Sequence, residues 1–335
     1  MEVPGPRRLR RRLRFALRTV VTTTLTKSPG EAAVTLRKGG LVAFPTETVY
    51  GLGADAFQPT AVRRIFEAKA RPADNPLIVH LHARAQIELV AARLPPVAER
   101  LLEQFWPGPL TLILPKHPDL PGIVTAGLDT VGVRMPRLVL TRRFLKACDT
   151  PVPAPSANRS GRPSPTNWEA VEADLGGRID CILKGGRTEA GVESTVVDCT
   201  VSPIEVLRPG AISVEDLRAA VDTVQVPVAD QADTPRSPGT RHRHYAPAAE
   251  VRLVDAPADA MPGAGHAYIG LDAPSTPDAF GAVYVEADLV AYAHDLFYLF
   301  RACDDAGIEV IFAQTVPSAG LGRALNDRLR RAAAR

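Results

Sequence analysis

Residues 41–53, LVAFPTETVYGLG, decide how the chain is read. Leu41 to Phe44 is an apolar run of strand type. Before it, Pro29 to Leu36 has helical spacing, with a proline in the first turn and Gly39-Gly40 as its stop. Thr46, Glu47 and Thr48 therefore emerge at the carboxyl end of a buried strand, where α/β sheets gather ligands. Taken alone, the segment also suits a plain turn, with Thr46 and Glu47 capping it and Gly51 and Gly53 supplying positive φ.

The helix-then-strand rhythm recurs on either side. Thr60 to Ala68 is a helix with Val62, Ile65 and Phe66 on one face, and Pro76 to Leu81 is the next strand. Helical stretches over 84–94 and 96–106 stop at Trp106-Pro107-Gly108-Pro109, and strands are expected at 110–114 and 130–135. Thr166-Asn167-Trp168-Glu169 reads as a capping box opening a helix that ends at Gly176-Gly177. Strands follow at 180–184, 194–199 and 204–207, then a helix from Ser213 that fades near 223. Residues 224–249 lose all periodicity and read as a linker. From Glu250 a second unit has strands near 250–254, 267–271, 282–285 and 308–313, a helix over 288–306 and a last amphipathic helix from Leu321. Interleaved elements predict an α/β class, with a larger first unit and a smaller Rossmann-like second unit. The boundaries expected are a basic tail over 1–27, a catalytic unit over 28–214, a helix end and linker over 215–249, and an α/β unit over 250–335.

A chain of 335 residues that is 45% hydrophobic and 23% charged suits two globular domains rather than a disordered chain. No apolar run is long enough to span a bilayer. Cys148, Cys181, Cys199 and Cys303 are spaced for neither a zinc ribbon nor a disulfide framework, which favours a reduced, cytoplasmic setting. Seven arginines and Lys27 stand against Glu2 in residues 1–27, so the net charge of +3 belongs to the tail and the body is mildly acidic. Such an arm suits a disordered tail, a nucleic-acid contact or a targeting segment.

Three further clusters could carry chemistry. Lys69 and Arg71 follow a helix, where cations stabilise the dipole, yet with Asn75 and His80 nearby they could also clamp a polyphosphate. Residues 155–166, PSANRSGRPSPT, place hydroxyls, an amide and two cations before a helix N-terminus, a setting that receives anions. Glu193-Ser194-Thr195 precedes a strand and Leu207-Arg208-Pro209-Gly210 follows one. No P-loop, GxGxxG, HExxH, GxSxG or CxxC motif occurs, and the histidine pair His80 and His82 lacks the acids or thiols of a metal site. Cations, hydroxyls and amides without a nucleophile and its base point to alignment for transfer at phosphorus.

In order, PTETVYGLG (45–53), KARPADNPLIVH (69–80), FWPGPLTLIL (105–114), VGVRMP (131–136), PSANRSG (155–161) with SPT (164–166), ESTVVD (193–198) and LRPG (207–210) resemble the YrdC-like threonylcarbamoyl-AMP synthases. SPGTRHRHYAP (237–247) is similar to the linker of the long, two-domain form, and residues 320–329 look like its closing motif. The resemblance implies a YrdC-like twisted-sheet catalytic domain and a nucleotidyltransferase that makes threonylcarbamoyl-AMP and pyrophosphate from L-threonine, bicarbonate or CO2, and ATP. Mg²⁺ would accompany ATP, and a downstream tRNA-modifying transferase would take the product. By the same resemblance Lys69, Arg71, Thr111, Asn158, Ser164, Arg208 and Tyr245 would hold ATP, with Lys69 and Arg71 acting on the triphosphate. Thr46, His80, Arg134, Ser156 and Ser194 would hold L-threonine. His242 stands where the pattern expects an aromatic residue, and the Arg-rich amino terminus lies outside it. An RNA-binding module of the same fold and a carbamoyltransferase are the other readings; direct tRNA binding stays open. The segment 237–247, rich in Arg and His and carrying Tyr245, is expected to act as a lid.

No proposed site residue precedes Ser28, so a chain starting at Thr24 should fold and form product at the full-length rate. Loss of product formation in such a folded chain overturns that expectation.

Overall fold

The computed structural model describes residues 22–227 and 245–334. Most of the basic tail, and Arg241, His242, Arg243 and His244 of the expected lid, lie outside them. The first unit runs β1 (Thr24–Thr26), α1 (Pro29–Arg37), β2 (Val42–Phe44), β3 (Gly51–Gly53), α2 (Pro59–Lys69), β4 (Ile78–His80), α3 (Pro96–Phe105), β5 (Leu110–Pro115) and β6 (Thr130–Arg134). It continues with α4 (Val139–Cys148), β7 (Val152–Pro153), α5 (Trp168–Leu175), β8 (Cys181–Leu183), β9 (Thr195–Asp198), β10 (Ile204–Arg208), α6 (Val214–Ala220) and β11 (Val224–Gln225). The second unit is β12 (Glu250–Val254), β13 (Gly263–Gly270), β14 (Phe280–Val285), α7 (Leu289–Asp305), β15 (Val310–Gln314) and α8 (Leu321–Ala333).

The first unit holds two mixed sheets, β1-β8-β2-β3 and β11-β10-β9-β5-β6-β4-β7, and the second holds a parallel sheet, β12-β15-β13-β14. Strand alternation explains the layering. Leu41 and Ala43 share one core with Leu52, Val79 and Leu112 and with Val62 and Ile65 of α2, whereas Val42 and Phe44 turn to Leu36 of α1 and Phe144 of α4. β2 is thus buried on both faces, as its unbroken apolar run requires. In the second unit, Ala267, Ile269 and Ile311 pack beneath Phe297 and Phe300 of α7 and Leu325 and Leu329 of α8. The α/β class and the two-unit architecture agree with the sequence reading.

Four local features differ from it. Thr24–Thr26 is a strand pairing with β8, so the end of the basic stretch is part of a sheet. Residues 84–89 form a 3-10 helix and not the first half of a longer helix. Asn167, not Thr166, caps α5: its side chain accepts the Ala170 N–H at 2.9 Å, which places Glu169 one residue too early to reach back to the cap. Finally, α6 and β11 pack on the first unit, through Val214 and Leu217 in its core and pairing of β11 with β10.

Gly210 shows how tightly the motifs are folded together. A Cβ there would lie 2.4 Å from backbone atoms of Glu193, Ser194 and Thr195, so LRPG needs glycine for ESTVVD to pass beside it. Gly210→Ala should cost about 1–3 kcal/mol and lower the melting temperature, whereas Gly122→Ala, with nothing within 4 Å, should stay within about 0.5 kcal/mol. Equal melting temperatures for the two variants contradict this account.

Candidate functional site

β3 joins the first polar cluster to the third. Leu52 N–H donates to the Pro155 carbonyl at 2.8 Å, Ala157 N–H donates to Tyr50 O at 2.8 Å, and Gly51 bridges Ser156. Beside this seam, β4 and β6 run parallel with His80 opposite Arg134, so both side chains arrive at strand ends on the same rim. From the far side, β9 and β10 bring Ser194 and Arg208 together: Arg208 Nη2 donates to the Ser194 carbonyl at 2.9 Å and to its Oγ at 3.1 Å.

These segments enclose a cavity of about 60 Å³, room for a few water molecules. Of the expected site residues, Thr46, Arg71, His80, Arg134, Ser156, Ser194, Arg208 and Tyr245 line it. Thr111, Asn158 and Ser164 stand one contact behind. Thr111 Oγ1 is 2.8 Å from Ser194 Oγ, Ser156 Oγ donates to Asn158 Oδ1 at 2.6 Å, and Ser164 Oγ donates to Glu193 Oε1 at 2.6 Å. Lys69 departs most from the expectation. It is 2% exposed, outside the cavity lining, and its Nζ bonds the carbonyls of Ser156 (2.5 Å) and Asn158, with Asn158 Oδ1 at 3.4 Å. Its Nζ is thus directed at that loop.

The cations are held by identifiable partners. Arg134 Nη2 donates to Glu47 at 2.6 Å and its Nη1 to Thr48 Oγ1 at 2.8 Å; Thr48 Oγ1 lies 2.8 Å from Thr46 Oγ1. Glu47 also accepts the Arg137 N–H at 3.2 Å, so the buried acid fixes the arginine and the strand exit together. Burial lowers Arg71 to about 10, which leaves it cationic at neutral pH. Burial, then repulsion from Arg71, pushes Lys69 well below its ordinary value. Burial, reinforced by Arg134, lowers His80 to about 3, so its imidazole is neutral. Its ring meets Phe44 edge-on at 5.7 Å and its Nδ1 lies 3.2 Å from the Ile78 carbonyl.

Tyr245 closes the cavity from the linker side. Its ring stacks on Phe297 of α7 at 5.2 Å, and its backbone holds a φ of 70°, which is rare for a bulky residue and is stabilised only by its surroundings. Val49, from the first cluster, packs into the same apolar group as Phe297.

Three residues that the motifs contain were given no role of their own. Glu193 lines the cavity and was not singled out apart from its neighbours. Asn75 is fully buried with neither side-chain polar atom bonded, beside Arg71, whose Nε also lacks a hydrogen bond. An uncompensated amide of this kind marks a place where a polar ligand or water belongs. Tyr50 bridges Gly185 N and Gly186 O at 3.1 Å each, tying the seam to the loop after β8. Among the described residues no cluster of His, Cys, Asp and Glu is arranged to hold a metal, and no helix is long and apolar enough to cross a membrane.

The profile described as telomere recombination, of the Sua5, YciO and YrdC proteins, matches residues 34–210, and that of the threonylcarbamoyl-AMP synthase C-terminal domain matches 212–334. The chain is 44% identical over 314 residues to a threonylcarbamoyl-AMP synthase of Pyrococcus abyssi and 42% identical over 318 residues to one of Bacillus subtilis, covering 90% of this chain and 92% of the relative in each case. A crystal structure of the P. abyssi Sua5 protein complexed with L-threonine superposes with a TM-score of 0.85 at 41% identity, over 94% of this chain and 98% of the other.

The neutral histidine has a measurable signature. With a folded value near 3 and an unfolded value near 6.5, the unfolded chain binds the extra proton between these pH values, so stability falls as pH drops from about 6.5 toward 3. His80→Gln should make this acid-side slope shallower by up to about 1.4 kcal/mol per pH unit. An unchanged slope, or an imidazole resonance of His80 that titrates near pH 6.5, is the contrary result.

Proposed function

Because this chain belongs to the threonylcarbamoyl-AMP synthase family, we propose that it joins L-threonine, bicarbonate or CO2, and ATP into threonylcarbamoyl-AMP with release of pyrophosphate. The product would serve a tRNA-modifying transferase that places the threonylcarbamoyl group on an adenosine beside the anticodon. The observation that carries the reading is the convergence of Arg71, Arg134 and Arg208 with the hydroxyls of Thr46, Ser156 and Ser194 on one cavity. In the reaction the threonine amine adds to CO2 and gives up a proton, and a carbamate oxygen then attacks the α-phosphorus as the bond to pyrophosphate breaks. Oriented cations and exclusion of water serve that displacement better than a strong base.

We assign threonine to the side of Thr46, His80, Arg134 and Ser194, and the nucleotide to the side of Arg71, Asn75 and Arg208. Neutral His80 can accept or donate a hydrogen bond without repelling the substrate ammonium. Lys69 is assigned to the loop that presents Ser156 and Asn158. Glu193 is the cavity's own carboxylate, and Ser164 and Arg328 already engage both of its oxygens. Among the described residues no cluster of acids or histidines is arranged for Mg²⁺, and the ion would enter with the triphosphate as part of the substrate. Tyr245, which lines the cavity at the end of the linker, is assigned to a lid that closes over the substrates. The four buried, unpaired thiols support a cytoplasmic location.

Pyrophosphate release from ATP and bicarbonate should require L-threonine, with L-serine a poorer substitute. Arg71→Ala should lose about 2–4 kcal/mol of transition-state stabilisation, read from kcat/KM, while keeping the fold. Release that ignores the amino acid overturns the activity, and normal kcat/KM in the variant overturns the role of Arg71.

A further inference from the structure

The closing helix of the second unit reaches into the wall of the cavity. Arg328 of α8 is completely buried, although it belongs to a helix whose last turn is basic and half exposed. Its Nε donates to Glu193 Oε2 at 2.7 Å, its Nη1 donates to the Pro209 carbonyl at 3.0 Å and to Asp327 at 2.7 Å, and its guanidinium lies 5.4 Å from the centre of the Tyr245 ring. One side chain from the second unit therefore touches ESTVVD, LRPG and the expected lid together. Glu193 lines the cavity on the wall it shares with Arg208, and its other oxygen accepts from Ser164.

We propose that Arg328 is a positioning residue: the C-terminal domain supplies the counter-charge of Glu193, so that an anionic substrate beside Arg208 meets a neutralised wall. The inference rests on the ATP reading above. A buried carboxylate without that partner would repel a triphosphate and compete for Arg208, and both effects are large where water is excluded. Burial alone would push the Glu193 carboxyl up; Arg328 first, then Arg208 and the Ser164 hydroxyl, outweigh it and hold the group below its ordinary value, so it is ionised and needs the counter-charge. Asp327 does not remove that need, because it is shared between Arg328 and Arg331, with Arg331 Nε at 3.0 Å. Zwitterionic threonine carries no net charge, so the device should act on the nucleotide far more than on the amino acid.

Calorimetric titration of the full chain with ATP and, separately, with L-threonine tests this in Arg328→Met and in the pair Glu193→Gln/Arg328→Met. The expected result is ATP affinity weakened tenfold or more by Arg328→Met with threonine affinity within threefold, and recovery of ATP affinity by at least fivefold in the pair. A role confined to docking the domains would weaken both ligands alike and would not be rescued by Glu193→Gln; either finding overturns the proposal, as does unchanged ATP affinity in Arg328→Met. If methionine at 328 unfolds the chain, the pair variant, which leaves no buried charge uncompensated at this contact, decides alone: ATP affinity within threefold of wild type supports the proposal and a tenfold loss overturns it. Turnover of the unaltered protein is measured alongside. Absence of threonine-dependent pyrophosphate release there counts against the activity, while the ATP titrations still decide the role of Arg328.

Discussion

Burying cations around one cavity is the constraint on which this molecule is built. Lys69, Arg71, Arg134, Arg208 and Arg328 are each no more than 8% exposed. Each removed charge is expensive unless its donors are satisfied, and each is satisfied in a different way. Arg134 has a buried acid, Glu47. Arg208 has the Ser194 carbonyl and hydroxyl. Lys69 has loop carbonyls, and Arg328 has acids on both sides. Two of them are incomplete: Arg71 has an unbonded Nε next to an Asn75 carboxamide that is equally unbonded, and Arg328 has an unbonded Nη2. Arg71 lines the cavity, where a bound anion or ordered water can supply a missing interaction.

The fold meets this constraint by making strands end where charges are wanted. Parallel pairing of β4 with β6 sets His80 beside Arg134, and the bulge between Val206 and Arg208 turns the end of β10 toward Ser194. The loops between those ends would have many free backbone groups, and they are zipped to one another: Tyr50 N–H to the Pro165 carbonyl at 2.9 Å, Ser160 N–H to the Lys69 carbonyl at 2.9 Å. Rigid loops hold side chains in place without the reorganisation that a flexible site would require.

Much of this arrangement was legible in the sequence because it is local. The apolar run of residues 41–44 marked β2, and the motifs after it marked the residues that line the cavity, since a strand end and the polar residues beyond it are adjacent in both chain and space. What escaped was set by partners far away. Glu193 and Arg328 are 135 residues apart, and no periodicity in α8 says that one of its arginines is buried while Arg331 remains partly exposed. The direction of the Lys69 side chain likewise depends on distant partners. Its spacing from Arg71 suits a clamp, but Ala70 adopts a left-handed conformation at the end of α2, with a φ of 51°, and the ammonium turns to the loop behind the cavity. Asn167 displaced Thr166 as a cap because both residue types cap helices well, and sequence order alone does not choose between neighbours.

The second unit follows from the same electrostatics. A first unit standing alone would leave Glu193 without Arg328, Val49 without the apolar group around Phe297, and Asp174, which is 3% exposed, without Arg301 of α7 at 2.9 Å. Two ion pairs and one apolar contact therefore join the units; Asp174 keeps Arg162 at 2.6 Å if they part, whereas Glu193 loses its partner Arg328. Tyr245 sits among them at an unfavourable φ, packed on Phe297 and facing Arg328. Its position is set by neighbours from the second unit, whereas the loops of the first unit are zipped to one another. The second unit thereby places Tyr245 on the cavity, while the first places the strand ends that carry Arg134, Ser194 and Arg208.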